Sequence, residues 1–466
     1  MLFSSIVFLF FFLPAFLALY YLLPWKNAIL LLGSLVFYAW GEPRFVLLLL
    51  LSAALNYAAG LAIARAILRD RKEAWRWLAA GVSANLALLA WFKYAGFLAA
   101  AIRTAVAADF PVPHITLPLG ISFFTFQGIS YLVDVYRGEV TAQTSFLRFA
   151  TYKALFPQLI AGPIVRYRQI AGEIGQRVIS NERMLAGFQI FALGLAQKVL
   201  IANTLALPAD RLFEAVHADL SAPTAWFGLL CYTLQIYYDF CGYSNMAIGL
   251  AHMLGFSFPP NFDRPYSARS MTEFWQRWHI SLSSWFRDYL YIPLGGNRHG
   301  PLRTYFNLGL VFLLCGLWHG AAWTFVIWGC WHGAWLIVER IGLRAGLDRL
   351  PRPVAQVWTL ALVMLGWVWF RAPDLASAHS YFVALAGASP NPVGHPWQAE
   401  IASLELVTIA IALAGAVLPT GAAPGALVRR YSHGQWRYVP VAAASVALCA
   451  CALASGTYNP FLYYRF

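Results

Sequence analysis

The chain has 466 residues, of which 60% are hydrophobic and only 11% charged, against roughly 25% charged in an ordinary soluble domain. So few charged side chains cannot clothe that much apolar sequence in water, which excludes a soluble enzyme, a disordered chain and a fibre, and makes lipid the missing solvent. Lys and Arg number 33 against 20 Asp and Glu, a net charge of +13; in so apolar a chain this excess belongs to cytoplasmic loops and not to a nucleic-acid surface.

Apolar runs of spanning or near-spanning length lie at 4–23, 27–40, 45–64, 78–101, 116–136, 184–206, 223–240, 304–319, 321–338, 354–371, 402–419 and 439–455. The first has no charge before Lys26, so it lacks the basic start of a signal peptide and reads as a retained span. Two further runs, 149–162 and 243–256, are too short to cross and read as re-entrant or internal. Basic residues lead in 65–76, 166–183, 264–303, 340–352 and 429–437, which places those segments in the cytoplasm. The segments 102–115, 207–222 and 372–401 hold Asp109, Asp210, Glu214, Asp219, Asp374 and Glu400 and suit the opposite face. The expected architecture is an all-α polytopic bundle over 1–466, a single membrane-embedded domain with about 11–13 membrane segments plus re-entrant and interfacial helices. Twelve spans satisfy every loop and leave both termini outside. Neither a repeat of 20–50 residues nor a similarity between halves points to an inverted-repeat transporter. The six cysteines, at 231, 241, 315, 330, 449 and 451, form no CxxC pair and support neither a disulfide framework nor a zinc ribbon.

Chemistry concentrates in two stretches. In 270–297, Ser270 and Glu273 have the spacing of a capping box, and Pro293, Gly295 and Gly296 close the segment. A helix between them places Trp275, Trp278, Leu282, Phe286 and Tyr289 on one face and turns Arg277, Ser281, Ser284 and Asp288 away. His279 falls in the apolar stripe, where a histidine is more often a core residue than a reactive one. The plain reading of the whole segment is an interfacial amphipathic helix. In 315–333, His319 and His332 each follow a tryptophan and precede a glycine, Gly320 and Gly333, in strongly apolar sequence. An ionisable side chain at membrane depth is costly unless used or paired, a following glycine permits close backbone approach by a substrate, and imidazole is suited to accept a hydroxyl proton.

The spacing of thirteen between these histidines matches no zinc-ligand motif, so no metal is expected. A GxSxG elbow and a phosphate-binding loop are also missing from the sequence. Asp134 and Asp239 are the acids nearest membrane depth, and hydrogen-bonded anchoring at a helix end is their plain reading.

Four ordered runs carry a resemblance: Leu155 to Pro163, Tyr238 to Gly249, Glu273 to Ser284 continuing through Arg287 to Ile292, and Gly316 to Gly320. Together they resemble the membrane-bound O-acyltransferase family, most closely its bacterial branch of alginate O-acetylation and teichoic acid D-alanyl transfer proteins. Met1 to Ser5 and Trp367 to Arg371 also fit that branch. The resemblance implies that His319 is the essential membrane-embedded histidine. It implies that His279 is the second family position, occupied by His or Asn and nearer the cytoplasmic entrance, where we expect it to position the donor. His332 and Asp239 are accessory. The family's usual DFSGYSD here has Cys241 in place of Ser and Asn245 in place of the second Asp.

What the resemblance implies for function is an O-acetyltransferase of the bacterial inner membrane, moving acetyl from a cytoplasmic thioester across the bilayer. The product is an O-acetylated exported polysaccharide such as alginate, reached directly or through a periplasmic SGNH-type partner. Acetyl-coenzyme A is the implied donor, a substrate and not a bound cofactor, and Trp275, Trp278, Arg277 and Arg287 are candidates for its path. Arg264 and Arg269 could also attract its phosphates, although ordinary topology explains those arginines equally well. His319 serves either as general base or as carrier of a transient acyl-imidazole. A transporter or flippase of an acylated intermediate is the alternative, followed by a scaffold of a secretion complex.

Overall fold

The computed structural model describes residues 1–107, 109–215, 220–389, 403–417, 435–456, 458–460 and 462. Asp219, Glu400, Arg429 and Arg430, which entered the charge map, lie outside them. The helices in chain order are α1 Leu13–Leu22, α2 Lys26–Gly41, α3 Val46–Ile67, α4 Arg71–Leu89, α5 Ala95–Val106, α6 Ile121–Arg137, α7 Phe146–Ala154, α8 Phe156–Leu159, α9 Tyr167–Gly175, α10 Asn181–Ala196 and α11 Asn203–Glu214. They continue with α12 Ala222–Met253, α13 Met271–Arg277, α14 Ile280–Phe286, α15 Gly300–His319, α16 Trp323–Val338, α17 Arg344–Leu347, α18 Arg352–Arg371, α19 Leu375–Leu385, α20 Ser403–Val417 and α21 Val439–Ala454. This is an all-helical polytopic membrane protein. Among the described residues, six continuous stretches are long and apolar enough to cross a bilayer, namely Pro43–Ile67, Arg71–Val106, Asn181–Glu214, Gly300–His319, Arg352–Arg371 and Trp436–Ala454. Large apolar side chains such as Trp40, Leu47, Leu51, Leu404 and Ile411 stand exposed, as the lipid-facing surface of such a protein requires.

One expected pair of segments is a single element. The runs 223–240 and 243–256 are read from sequence as a span and a short internal segment, yet α12 passes through both without a break. Its 32 residues measure about 48 Å at 1.5 Å per residue, well beyond a hydrocarbon core of about 30 Å. Gly242 sits where a Cβ would lie 2.7 Å from the carbonyl oxygen of Gly194, so its missing side chain lets α10 and α12 touch backbone to backbone.

The chain divides into two compact units, Met1–Phe188 with Met246–Pro259, and Gln189–Asn245 with Pro260–Phe466. In the first unit Phe3, Phe8, Phe12, Phe16, Phe37 and Phe156 form a run of ring contacts. Asn56 and Asn85 exchange two amide hydrogen bonds, 3.2 and 2.9 Å, between α3 and α4, which satisfies both groups away from water. Residues 149–162 are buried throughout in α7, α8 and the turn after them, in agreement with an internal segment. Asp134 lies one turn from the end of α6, fully buried, with Arg168 at 3.7 Å, as helix-end anchoring predicts.

In the second unit α15 and α16 cross at two glycines. A Cβ on Gly316 would lie 2.3 Å from the Phe325 oxygen and one on Gly329 2.3 Å from the Phe312 oxygen. The two Cα-only surfaces let the helices approach closely enough to fix the residues at their ends, including His319. Ser270 caps α13 through Glu273 N at 3.1 Å. The buried Glu339 carboxylate, just after α16, accepts from Met271 N at 2.5 Å, Thr272 N at 3.0 Å and the Thr272 hydroxyl at 2.8 Å. An anion on the free amides of a helix start satisfies their hydrogen bonds and ties α13 to the end of α16.

Candidate active site

The 270–297 segment is not one helix. His279 has φ 43° and ψ 54°, a left-handed conformation, and separates α13 from α14. A non-glycine residue pays about 1–2 kcal/mol for that geometry, so something else must hold it. Asn261 does: its carbonyl oxygen accepts from Ile280 N at 2.9 Å, and its Oδ1 accepts from Ser281 N at 3.2 Å and from the Ser281 hydroxyl at 2.8 Å. Trp275, Trp278, Leu282 and Phe286 are buried as the stripe predicts, but Tyr289 is only half-buried and Ser281, expected to face away, is buried. His279 sits at a corner and not on a helix face.

At that corner the imidazole is fully buried. Nδ1 is 3.1 Å from Asn261 Oδ1, and the ring meets Phe240 edge-on at 4.7 Å between centroids. Among the described residues Nε2 has no hydrogen-bond partner. Burial pushes the His279 pKa down, to about 3, because the charged ring would lose its water.

His319 ends α15 half-buried. Its ring is boxed by Trp318 at 4.9 Å, Trp328 at 5.0 Å and Phe370 at 5.2 Å. It lines a cavity of about 30 Å³ together with Asp239, Phe240, Trp278, Trp367 and Leu462, a space that fits one hydroxyl-sized group. Gly320 does not open a way in for substrate: a Cβ there would lie 2.1 Å from the Phe325 ring, so the glycine makes room for that phenylalanine. Gly333 lies within α16, where a Cβ would come 3.1 Å from the Phe312 Cβ; it serves helix contact too.

Asp239 stands in mid-helix in α12, not at a helix end, and its plain reading is corrected accordingly. Its Oδ1 is 2.6 Å from Lys198 Nζ, and its Oδ2 accepts from Leu462 N at 3.1 Å. Lys198 also donates to Asn203 Oδ1 at 2.7 Å and to the Pro460 carbonyl. Asn245 donates to Gln197 Oε1 at 2.8 Å, so the neutral residue in the acid's usual place has a neutral partner. His332 is fully buried between Trp275 at 5.0 Å and Trp328 at 4.8 Å. Neither of its nitrogens has a partner among the described residues, and Gly366 leaves the space that His332 Nε2 fills.

Two larger cavities adjoin this centre. One of about 430 Å³ is lined by Trp275, Leu282, Phe286, Phe312 and Cys315, with Arg287 and Arg340 among its other residues. The other, of about 670 Å³, carries Arg269, Arg277, Arg340 and Arg344. They share Thr272, Gln276, Leu308, Leu336 and Arg340, so the two lie side by side. Trp275 and Trp278 therefore part company, the first facing the outer cavity and the second the His319 cavity. Trp275 and Trp328, with ring centroids 5.7 Å apart, form the wall between. Arg264 lines neither cavity and lies 3.6 Å from Asp263, whereas Arg287 pairs with Asp288 at 2.7 Å. Asn261, Lys198, Glu339 and Leu462 escape sequence reading, while Arg340 and Arg344 enter it only as members of the basic segment 340–352. Only Lys198 left a signal, as a lone cation inside an apolar run.

The family described as MBOAT, membrane-bound O-acyltransferase, matches residues 138–345. A protein of Azotobacter vinelandii named "Probable alginate O-acetylase" is 45% identical over 418 residues, covering 88% of this chain and 83% of the relative. The chain belongs to the membrane-bound O-acyltransferase family. A Pseudomonas aeruginosa protein of the same name is 46% identical over 422 residues, 88% of this chain and 80% of its own. A peptidoglycan O-acetyltransferase of Helicobacter pylori is 37% identical over 432 residues, 85% and 81% respectively. This membrane-bound O-acyltransferase is thus an acyl-transferring enzyme, and both arginine-bearing cavities and the His279 corner fall within the matched stretch.

Proposed function

We propose that this enzyme transfers acetyl from acetyl-coenzyme A in the cytoplasm to a hydroxyl on the far side of a bacterial inner membrane, for O-acetylation of alginate or a similar exported polysaccharide. The observation that carries the reading is the succession of spaces: an arginine-lined cavity, an apolar cavity, a tryptophan wall, and the small cavity of His319. In this reading Arg269, Arg277, Arg340 and Arg344 take the donor's phosphates, and the apolar cavity takes its pantetheine arm. His279 guides the thioester toward His319. The His319 imidazole removes the proton of the attacking hydroxyl as its oxygen bonds to the thioester carbonyl carbon; the C–S bond breaks, and the thiolate is protonated as coenzyme A leaves. The variant route places the acetyl on His319 first and passes it on from there. The names of the relatives favour alginate among acceptors. An SGNH-type partner outside the membrane would complete the relay where the polymer is not acetylated directly.

Purified protein in detergent, given labelled acetyl-coenzyme A with and without alginate oligosaccharides, tests the reading. Release of free coenzyme A with label on protein or sugar supports it. Intact donor under all conditions, together with vesicle uptake of an acylated saccharide, would instead favour the flippase.

A further inference from the structure

Asn261 makes four side-chain contacts around the His279 corner, and their directions fix a proton. Ser281 N can only donate, so the Asn261 atom that receives it at 3.2 Å is the carbonyl oxygen. The amide nitrogen then donates to the Ser244 hydroxyl at 3.1 Å. With an oxygen facing His279 Nδ1 at 3.1 Å, Nδ1 must carry the hydrogen and Nε2 the lone pair. That Nε2 is buried and has no partner among the described residues. An acceptor left bare inside a protein is costly, and such an atom is explained when a substrate donor completes it. The ring packs on Phe240, a wall residue of the His319 cavity.

We propose that Asn261 is a positioning residue for acyl transfer: it holds His279 in the Nδ1–H tautomer and in the left-handed corner, so that Nε2 presents its lone pair to an N–H, O–H or S–H of the bound substrate. The inference rests on the reading that His279 belongs to the acyl-transfer site. Asn261, Ser281, Phe240 and Trp318 face the ring, and all four are uncharged. Its low pKa, caused by burial, keeps the wild-type ring neutral across the physiological range.

The experiment compares full-length Asn261→Leu, Asn261→Asp, His279→Ala and the Asn261→Leu/His279→Ala double variant, each passed through size-exclusion chromatography in detergent, by coenzyme A release from acetyl-coenzyme A. Asn261→Leu is expected to lower kcat about tenfold or more with the donor KM nearly unchanged. Asn261→Asp keeps an acceptor for Nδ1–H, but its carboxylate raises the His279 pKa. Its activity relative to wild type should therefore climb between about pH 4 and pH 7, as the imidazolium gives up its Nε2 proton. The double variant should be no worse than His279→Ala alone. Wild-type kcat in Asn261→Leu, a pH-independent ratio in Asn261→Asp, or a further loss in the double variant would each overturn the role of Asn261. Full activity in His279→Ala would overturn the reading on which it rests.

Discussion

Lys198 Nζ and Asp239 Oδ1 stand 2.6 Å apart with both side chains buried, and Asp239 lines the cavity that holds His319. Two opposite charges so placed neutralise each other where neither could be left alone. The carboxylate's second oxygen binds Leu462 N and Lys198 donates to the Pro460 carbonyl, so the same pair holds Pro460 and Leu462.

Removing one partner of this pair should therefore be worse than removing both. Asp239→Leu or Lys198→Met alone strands a buried charge and is expected to cost about 3–5 kcal/mol of stability, whereas the double variant recovers most of it. Thermal midpoints of the detergent-solubilised variants check this. Equal loss in all three would show that the pair contributes through packing and not through charge.

The contact between α15 and α16 makes a second prediction. Gly316→Ala or Gly329→Ala drives a methyl into an opposing carbonyl and should cost about 1–3 kcal/mol, with loss of acyl transfer as His319 shifts. Gly309→Ala, also in α15 but with nothing within 4 Å of its added Cβ, should leave both unchanged. Melting and activity measured on the three variants separate a glycine needed for approach from one that is merely helical.

Hydropathy made six of the twelve expected spans legible, 45–64, 78–101, 184–206, 304–319, 354–371 and 439–455, because lipid imposes length and apolarity on each segment independently. The same local signals misread α12, since Asp239, Cys241 and Gly242 interrupt its hydropathy while α10 satisfies it from the side at Gly194. Both histidines in apolar sequence were visible as candidates. The corner at His279 was not, because its conformation is held by Asn261, eighteen residues earlier, and a pattern read along one helix contains no such partner. Likewise Asp239 was visible as an acid in apolar sequence, but its mid-helix pairing with Lys198 joins two separate helical stretches.

Orientation yields the third prediction. In a chain without its six native cysteines, Arg298→Cys in the basic segment should be labelled by an impermeant thiol reagent only after spheroplasts are opened. Glu214→Cys and Ala388→Cys should be labelled from outside. All three residues are exposed. Labelling of Arg298→Cys from outside would reverse the donor and acceptor faces.

The central claim is that His319 performs the transfer, and coenzyme A release from labelled acetyl-coenzyme A by wild type and His319→Ala measures it most directly. Loss of the side chain should lower turnover by about a hundredfold or more, with the melting temperature nearly unchanged because the ring is only half-buried. Turnover above about a tenth of wild type in a well-folded His319→Ala protein would contradict the assignment.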